Sequence, residues 1–354
     1  MMTFFDLQKD DKFRLDVSRR IAIMTKSPCF ILPNSFPVLY KYRNLSEFSV
    51  NDVVKEKITL TLIGAFNDLF DGAFHRYGSE TERQQRAEQE WETFEKLRIA
   101  ARIPDQLLDH DYLINTYNEY YKKDSRLKFR QLDYLGTYVG CFSSQNDSSL
   151  MWAHYANSNS GICIAYDFNK LDSDNLLHNT LFPVIYSQRP FDLKDLIDEK
   201  KKSDYKYPLE TAVLCSAMNK SEIWQYENEW RIVWVLAGGN NEQRLSINSL
   251  VKPHAIYFGY HFLKPLFYYS FENEEEKQKA KKQKELLLQL LNYMEQNNIK
   301  SYVMVPKIGT YTLTPILITI EKMKGLIYQN FHDYGVDIKY YYVIHDQLMD
   351  LLEQ

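Results

Sequence analysis

The chain has 354 residues, of which 45% are hydrophobic, 25% charged and 15% aromatic, and its formal net charge is −4. This composition is ordinary for a globular protein, and the small negative charge gives no overall attraction to nucleic acid or to an anionic membrane. No apolar run approaches the roughly 20 residues of a membrane-spanning helix, and the mixed charges of residues 1–26 argue against a secretory signal. The widely spaced cysteines indicate reduced thiols and a cytoplasmic protein.

The first half of the chain predicts short strands interrupted by helices. Residues 1–35 are a lead segment of mixed charge. Two charged helices within about 79–124 form a hairpin that we interpret as an insertion, and a turn-rich loop covers 64–72. The hydrophobic periodicity predicts helices at 47–57 and 150–156, and strands at 38–43, 58–62, 137–143 and 161–167.

The second half continues the same irregular alternation. The predicted strands lie at 182–186, 226–235, 254–259, 299–306, 311–313 and 338–344. The predicted helices lie at 191–202, 208–220, 273–297 and the C-terminus. Short strands at irregular intervals predict an α+β fold, with one domain at 36–320 and a C-terminal extension at 321–354 packed on the same domain.

The most distinctive stretch is the predicted strand that begins with two carboxylates, Glu227 and Glu229. Residues two apart in a strand point to the same face, so this face also carries Arg231. Two like charges this close raise each other's pKa unless a cation or water intervenes, and Lys220 and Arg231 are the candidate counter-charges. The pattern is typical of a solvated strand face, and it is also compatible with a working acidic site.

Several segments taken together are more specific than any one of them. They are Leu39–Arg43, Phe66–Asp68, Cys141–Ser143, Met151–Ala156, Gly161–Asp167, and Lys220 followed by Trp224–Arg231. This series resembles a large uncharacterised bacterial family, a domain of unknown function often found near phage-defence and toxin genes. The resemblance covers about residues 36–260, and Leu69 departs from it where the family usually has proline.

The order of these segments is also similar to that of the ADP-ribosyltransferase fold, which is an analogy at the level of fold. It implies an ADP-ribosyltransferase-like mixed sheet with inserted helices, in an effector (a toxin or an anti-phage protein) that uses NAD and needs no metal. The effector would modify a nucleic acid or a protein, or hydrolyse NAD. The implied site comprises the catalytic Glu229 and Glu227 and the NAD-binding Arg43, Tyr42, Ser143, Trp152, His154 and Tyr155.

These residue types suit cleavage of the nicotinamide–ribose bond. Positive charge develops on the ribose during the reaction, so one carboxylate would stabilise it while the second deprotonates the acceptor. Arg43 would hold the pyrophosphate with its fork of donors. Tyr155 or Trp152 would stack on the nicotinamide.

Each NAD-binding candidate also has an ordinary structural interpretation. Arg43 is compatible with a surface cation at a strand end. Trp152 and Tyr155, three residues apart on a short helix, are compatible with a hydrophobic core. His154 is compatible with a polar anchor, and Ser143 with a cap of the next turn.

Two other classes of function stay open on the sequence. A nuclease effector would use the acidic strand together with Asn67, Asp68 or Asp71 to hold Mg²⁺. A non-catalytic sensor or regulatory module would use the long Lys- and Glu-rich helix at 273–297 as a docking surface. Its function would not depend on the acidic pair.

Overall fold

The computed structural model describes most of the chain from Phe36 onwards. The described residues are 36–68, 70–75, 80–100, 110–111, 114–116, 119, 136–171, 177, 180–192, 208–235, 242–249, 251–332 and 335–354. Four parts of the sequence prediction lie outside the described residues. They are the lead segment, most of the second hairpin helix, the part of the predicted helix that follows Asp192, and the single residue Leu69.

Sixteen strands occur among the described residues, and most of them are short. In chain order they are β1 (Leu39–Arg43), β2 (Lys57–Leu62), β3 (Phe74–His75), β4 (Thr137–Ser143), β5 (Ile162–Tyr166), β6 (Leu181–Pro183), β7 (Ile185–Ser187), β8 (Phe191–Asp192), β9 (Asn219–Ser221), β10 (Glu229–Val235), β11 (Arg244–Asn248), β12 (Ala255–Phe258), β13 (Phe267–Tyr268), β14 (Lys300–Pro306), β15 (Leu313–Leu317) and β16 (Val336–Asp337).

Seven α-helices occur in the same part of the chain. They are α1 (Glu47–Val54), α2 (Glu80–Ala100), α3 (Ser149–Tyr155), α4 (Pro208–Met218), α5 (Glu274–Gln296), α6 (Ile320–Asn330) and α7 (Tyr341–Glu353). Several begin at a polar residue whose side chain accepts a hydrogen bond from a backbone N–H of the first turn, as helix N-caps do. These caps are Ser46, Ser148, Asn273 and Thr319. None of the described helices has the length and the apolar character needed to cross a membrane.

Ten of the described strands form one mixed sheet, and this confirms the predicted α+β class. The strand order is β11–β2–β4–β1–β5–β12–β14–β15, with β10 beside β4 and β6 beside β10. Within this sheet β12 and β14 are parallel, and the other described neighbours are antiparallel. The remaining described strands form three two-stranded ribbons.

The sheet forks at β4. One edge of β4 pairs with β10 along its full length. The other edge pairs with β2 at Tyr138 and Val139 and then with β1 at Ser143. Between these two contacts, Gly140–Phe142 have no described strand beside them on that edge. We call this opening between β1 and β2 the fork.

Hydrophobic clusters cover both faces of the sheet. On one face, Ile164 and Ile232 of the sheet share a core with α5, α6 and α7. The predicted apolar stripe of α5 is confirmed, since Leu286, Leu287, Leu290, Leu291 and Met294 are all buried. Each such side chain contributes roughly 1.5–3 kcal/mol to folding through its burial. On the other face, α3 packs against Tyr42 of β1 and Cys163 of β5.

The acidic strand begins later than predicted. Residues Glu222–Glu227 form a 3-10 helix, which ends at Asn228 in the left-handed conformation (φ 42°), and β10 begins at Glu229. Glu227 is therefore not on the strand. The face that carries Glu229 and Arg231 is buried, so the solvated-face interpretation is wrong.

One other predicted element is wrong in type. The strand predicted at 338–344 is a 3-10 turn followed by the start of α7. Its β-branched and aromatic residues favour a strand locally, but Ile344, Leu348 and Leu352 recur at helical spacing and are buried together. Of the helix predicted at 191–202, only the first two residues are described, and they form β8, which pairs in parallel with β3.

Candidate active site

A cavity of about 190 Å³ lies at the fork, bounded by β1, β2, β4 and β10. Side chains of α3, of the loop at 66–71 and of the segment at 220–227 add to its wall. Six of the eight predicted site residues line this cavity: Arg43, Tyr42, Ser143, Tyr155, Glu227 and Glu229. The fold thus brings together residues from distant parts of the chain.

Five charged side chains of alternating sign run along one wall of the cavity. In order they are Asp71, Arg231, Glu229, Lys220 and Glu227, and we call them the charge chain. None is more than 7% exposed. Charges buried this deeply are tolerated only when each one is paired and hydrogen-bonded. Three carboxylates and two cations give the charge chain a formal charge of −1 when all five groups are ionised.

Arg231 is the most deeply buried member of the charge chain. Its Nη1 and Nη2 donate to Asp71 Oδ1 and Oδ2 at 2.6 and 2.9 Å. Its Nε donates to Glu229 Oε1 at 2.9 Å, and Nη1 also donates to the carbonyl oxygen of Ala217 at 2.5 Å. The guanidinium therefore ties β10 to the loop at 66–71 and to the end of α4.

Lys220 joins the two glutamates. Its Nζ donates to Glu227 Oε2 at 2.5 Å and to Glu229 Oε2 at 3.0 Å. The prediction that Lys220 and Arg231 neutralise the acidic pair is confirmed. The two carboxylates are thus held close together by a shared cation, although only Glu229 lies on the strand.

The same surroundings affect the two glutamates in opposite ways. Burial alone would raise the pKa of Glu229, but Arg231 and Lys220 outweigh it and lower this pKa to about 2. Burial raises the pKa of Glu227, and Lys220 offsets this only in part because Glu229 adds a like charge. Glu229 therefore stays ionised, while Glu227 is the more readily protonated member of the pair.

Three predicted NAD-binding residues shape the wall around Glu227. The Tyr155 hydroxyl donates to Glu227 Oε1 at 2.6 Å. The Ser143 hydroxyl donates to the backbone carbonyl of Glu227 at 2.7 Å, so Ser143 fixes the end of the 3-10 helix. The Tyr42 hydroxyl donates to the carbonyl of Gln145 at 2.8 Å. Of the three, Tyr155 contacts the acidic group itself.

The structure places Trp152 and His154 away from the cavity. Trp152 is fully buried, and its Nε1 donates to the carbonyl of Asn146 at 2.6 Å. Its ring packs edge-on against Tyr42, with ring centres 5.3 Å apart. Trp152 therefore has the core role, and its ring is not positioned to stack on nicotinamide in the cavity. His154 is exposed, with Nδ1 3.2 Å from the Tyr226 hydroxyl.

Arg43 reaches the cavity from the opposite face of the sheet. Tyr40 pairs with Ser143, and Ser143 pairs with Glu229, so Tyr40 and Tyr42 share the face of Glu229. Arg43 points to the other face because successive strand residues alternate. Its guanidinium carbon lies 5.9 Å from the ring centre of Phe48 in α1. Arg43 and the acidic pair thus line one cavity from two sides of the fork.

Lys41 also lines the cavity, and the sequence interpretation missed it. Its Nζ donates to the carbonyl of Cys141, at the edge of β4 that the fork leaves without a strand, at 3.2 Å. Burial, followed by the like charge of Arg43, lowers the pKa of Lys41 to about 7. A lysine between two tyrosines in a strand gives no sign of this in the sequence, because the burial results from the branching of the sheet.

The residues of the predicted loop site have separate roles. Asp71 belongs to the charge chain, and Asn67 lines the cavity. Asp68 accepts a hydrogen bond from the backbone N–H of Phe70 at 2.9 Å, so it shapes the loop. Within the described ranges, no group of three or more His, Cys, Asp or Glu residues could hold a metal ion.

Comparisons with known proteins bear on one segment of the chain. No match was found among the curated proteins or among the solved structures. Residues 151–232 match a family described as protein of unknown function (DUF2971), which supports an assignment of this segment to an uncharacterised domain family. The segment contains Tyr155, Lys220, Glu227, Glu229 and Arg231.

Proposed function

We propose that the protein is an NAD-using enzyme of the ADP-ribosyltransferase type, acting as a toxin or in anti-phage defence. It would cleave the nicotinamide–ribose bond and pass ADP-ribose to a protein, a nucleic acid or water. The observation that carries this proposal is the meeting of Arg43, Tyr155 and the acidic pair in one cavity. A guanidinium, an aromatic ring and a carboxylate are the groups that NAD requires for its phosphates, its nicotinamide and its ribose.

The two glutamates suit different steps of this reaction. Arg231 and Lys220 donate three hydrogen bonds to Glu229, whereas Lys220 and Tyr155 donate two to Glu227. Because a carboxylate has about four lone-pair positions, Glu227 retains more capacity for a ribose hydroxyl or for the proton of an acceptor. The raised pKa of Glu227 favours proton transfer, and the lowered pKa of Glu229 maintains a fixed negative charge near the ribose.

The size of the cavity limits how NAD could bind. Sites for drug-sized ligands have volumes of roughly 300–1,000 Å³, whereas this cavity measures about 190 Å³. We therefore propose that the nicotinamide and its ribose enter the cavity and that the adenosine end lies outside it. The Tyr155 ring would then lie beside the nicotinamide, with its hydroxyl still bonded to Glu227.

The experiment that tests this function is incubation of the protein with NAD without divalent metal, followed by chromatography for free nicotinamide. We expect release by the native protein and a loss of at least about 100-fold in Glu227→Gln, the magnitude typical of a lost acid–base group. Glu229→Gln should lose activity as well, because it removes the fixed charge. Release that persists in both variants would overturn the proposal, as would a native protein that neither binds nor cleaves NAD.

The controls separate lost chemistry from lost folding. Glu353→Gln changes an exposed glutamate of α7 and should leave nicotinamide release unchanged. Thermal unfolding of each variant shows whether the fold survives, since Glu229 is bonded to both cations of the charge chain. If a variant keeps the native unfolding temperature and no longer releases nicotinamide, the substitution affects the reaction and not the fold.

A metal-dependent nuclease is the second candidate, because three carboxylates line the cavity, although among the described residues they do not form a group that could hold a metal ion. Asp71, Glu227 and Glu229 are the types of ligand that Mg²⁺ takes in nucleases. In the structure, Lys220 and Arg231 already occupy the space between these carboxylates. Cleavage of nucleic acid that requires Mg²⁺, proceeds without NAD and stops with a chelator would favour the nuclease over the transferase.

A further inference from the structure

Two lysines at this site are equally buried and differ in their partners. Lys41 and Lys220 are each 7% exposed. Lys220 lies between two carboxylates, which raise its pKa despite the cost of burial. Lys41 has no carboxylate oxygen within 4.0 Å among the described residues, and its one described acceptor is the carbonyl of Cys141. Burial without a counter-charge favours the neutral amine.

Lys41 lines the cavity, and its amine lies beside an apolar ring. The Nζ atom lies 4.6 Å from the ring centre of Phe142, on the apolar side of the fork. Lys41 and Arg43 both line the cavity, and the nearness of Arg43 disfavours a second positive charge. Desolvation and a neighbouring cation are the two conditions under which a lysine acts as a nucleophile toward carbonyl compounds.

We propose that Lys41 is a nucleophilic amine that forms an imine with a small aldehyde or ketone carrying a carboxylate or phosphate, which Arg43 binds. The Nζ lone pair forms a bond to the carbonyl carbon, and the carbon–oxygen bond breaks. The nitrogen gives up two protons, and the carbonyl oxygen leaves with them as one molecule of water. Nothing is oxidised or reduced. The inference does not depend on NAD as a substrate.

The cavity and its charges select this class of ligand. A volume of about 190 Å³ holds a compound of a few carbon atoms. Among the described residues, the Arg43 guanidinium has no carboxylate within 4.0 Å and is half-buried, so it is available for the anionic group. The charge chain on the other wall repels that group, which orients the ligand with its anion toward Arg43.

The test uses the native protein and glyoxylate, the aldehyde of a two-carbon acid, with cyanoborohydride to trap the imine as a stable secondary amine. Peptide mass spectrometry then locates the label. At pH 7.5 we expect labelling of Lys41 at least about tenfold faster than of exposed lysines, whose amines stay protonated. Lys220 should remain unlabelled, and it is the matched control because its burial is the same.

Two further measurements make the proposal specific. Labelling of Lys41 should fall about tenfold between pH 8 and pH 6, as the amine gains its proton. At about pH 9, where the Lys41 amine is neutral with or without Arg43, labelling by glyoxylate should fall at least about fivefold in Arg43→Gln, while labelling by neutral acetaldehyde should change less than about twofold. Label that spreads over exposed lysines and spares Lys41 would overturn the proposal. An equal effect of Arg43→Gln on both aldehydes would overturn the role of Arg43.

Discussion

Asp71 and Arg231 lie 160 positions apart and form a bidentate ion pair at the cavity wall, with oxygen–nitrogen distances of 2.6 and 2.9 Å. The Arg231 side chain is 0% exposed and the Asp71 side chain is 2% exposed. The pair links the loop after β2 to the start of β10. The geometry of the acidic site thus depends on a contact between the first and second halves of the chain.

Removal of Asp71 should destabilise the protein strongly. Asp71→Ala leaves a buried guanidinium with one carboxylate fewer, and the loss of one partner from a buried ion pair costs about 3–5 kcal/mol. Chemical denaturation of native and variant protein measures this difference. The matched control is Glu275→Ala, which breaks an exposed pair with Lys279 on α5 and should cost less than about 1 kcal/mol. Equal losses in the free energy of unfolding for the two variants would show that burial does not determine how much an ion pair contributes to stability.

Glu229 should make the protein sensitive to acid. Its pKa is lowered in the folded state from 4.5 to about 2, so the unfolded chain takes up this proton first as the pH falls. The ionised Glu229 carboxylate therefore adds about 3 kcal/mol to the free energy of unfolding. This contribution is complete above pH 4.5 and disappears as the pH falls toward 2.

Measurement of the free energy of unfolding of the native protein and of Glu229→Gln between pH 5 and pH 2 isolates this contribution. The native curve should fall more steeply than the variant curve over this window, because glutamine carries no titratable proton. Parallel curves would contradict the lowered pKa of Glu229.

The sequence predicts much of the main sheet because local patterns determine those elements. β4 coincides with the predicted 137–143, and β5, β12 and β14 lie within a residue or two of their predicted ranges. Their β-branched and aromatic runs agree with their final pairing. The alternating residues of β11 (Arg244–Asn248) and the capped helix α6 (Ile320–Asn330) carry weaker signals, and they were not predicted.

The acidic site itself was only partly predictable. The spacing of Glu227 and Glu229 identifies the pair, but it predicts a strand through Asn228, whose left-handed backbone instead ends the 3-10 helix. Lys41 shows a different limit. Its burial depends on β4 having a different partner at each end of one edge, which is a property of the whole sheet and not of the residues around Lys41.

The buried Lys41 should lower the free energy of unfolding at neutral pH. Its pKa falls from 10.5 in the unfolded chain to about 7 in the fold, so the folded protein binds one proton fewer between these values. The free energy of unfolding therefore rises with pH in this window, by about 1.4 kcal/mol per pH unit from this group. As the pH falls toward 7, this gain in the free energy of unfolding is lost again.

A comparison of native protein with Lys41→Met at pH 7 and pH 9 tests this cost. The methionine variant keeps the apolar stem and has no proton to exchange, so the native protein should gain about 2–3 kcal/mol relative to it over these two units. Lys300→Met, at an exposed lysine, is the control and should show no such trend. A flat difference for Lys41→Met would mean that the amine stays protonated in the fold.

Tyr155→Phe should remove one hydrogen bond of the acidic pair and leave the hydrophobic core intact. It removes a 2.6 Å hydrogen bond to Glu227, at a cost of about 1.5–3 kcal/mol for a bond to a charged group. Because this bond lowers the pKa of Glu227, its loss should raise that pKa further. Carbon-13 NMR of the glutamate carboxylates follows the titration directly. An unchanged Glu227 titration would show that Tyr155 does not influence the acidic pair.

The most direct test of the proposed function is a crystal structure with a non-hydrolysable NAD analogue. We expect the nicotinamide and its ribose to lie in the cavity at the fork, with the ribose hydroxyls bonded to Glu227 and the phosphates near Arg43. An analogue bound elsewhere on the protein, or crystals that remain without it at saturating concentration while the cavity stays open, would contradict the proposed function.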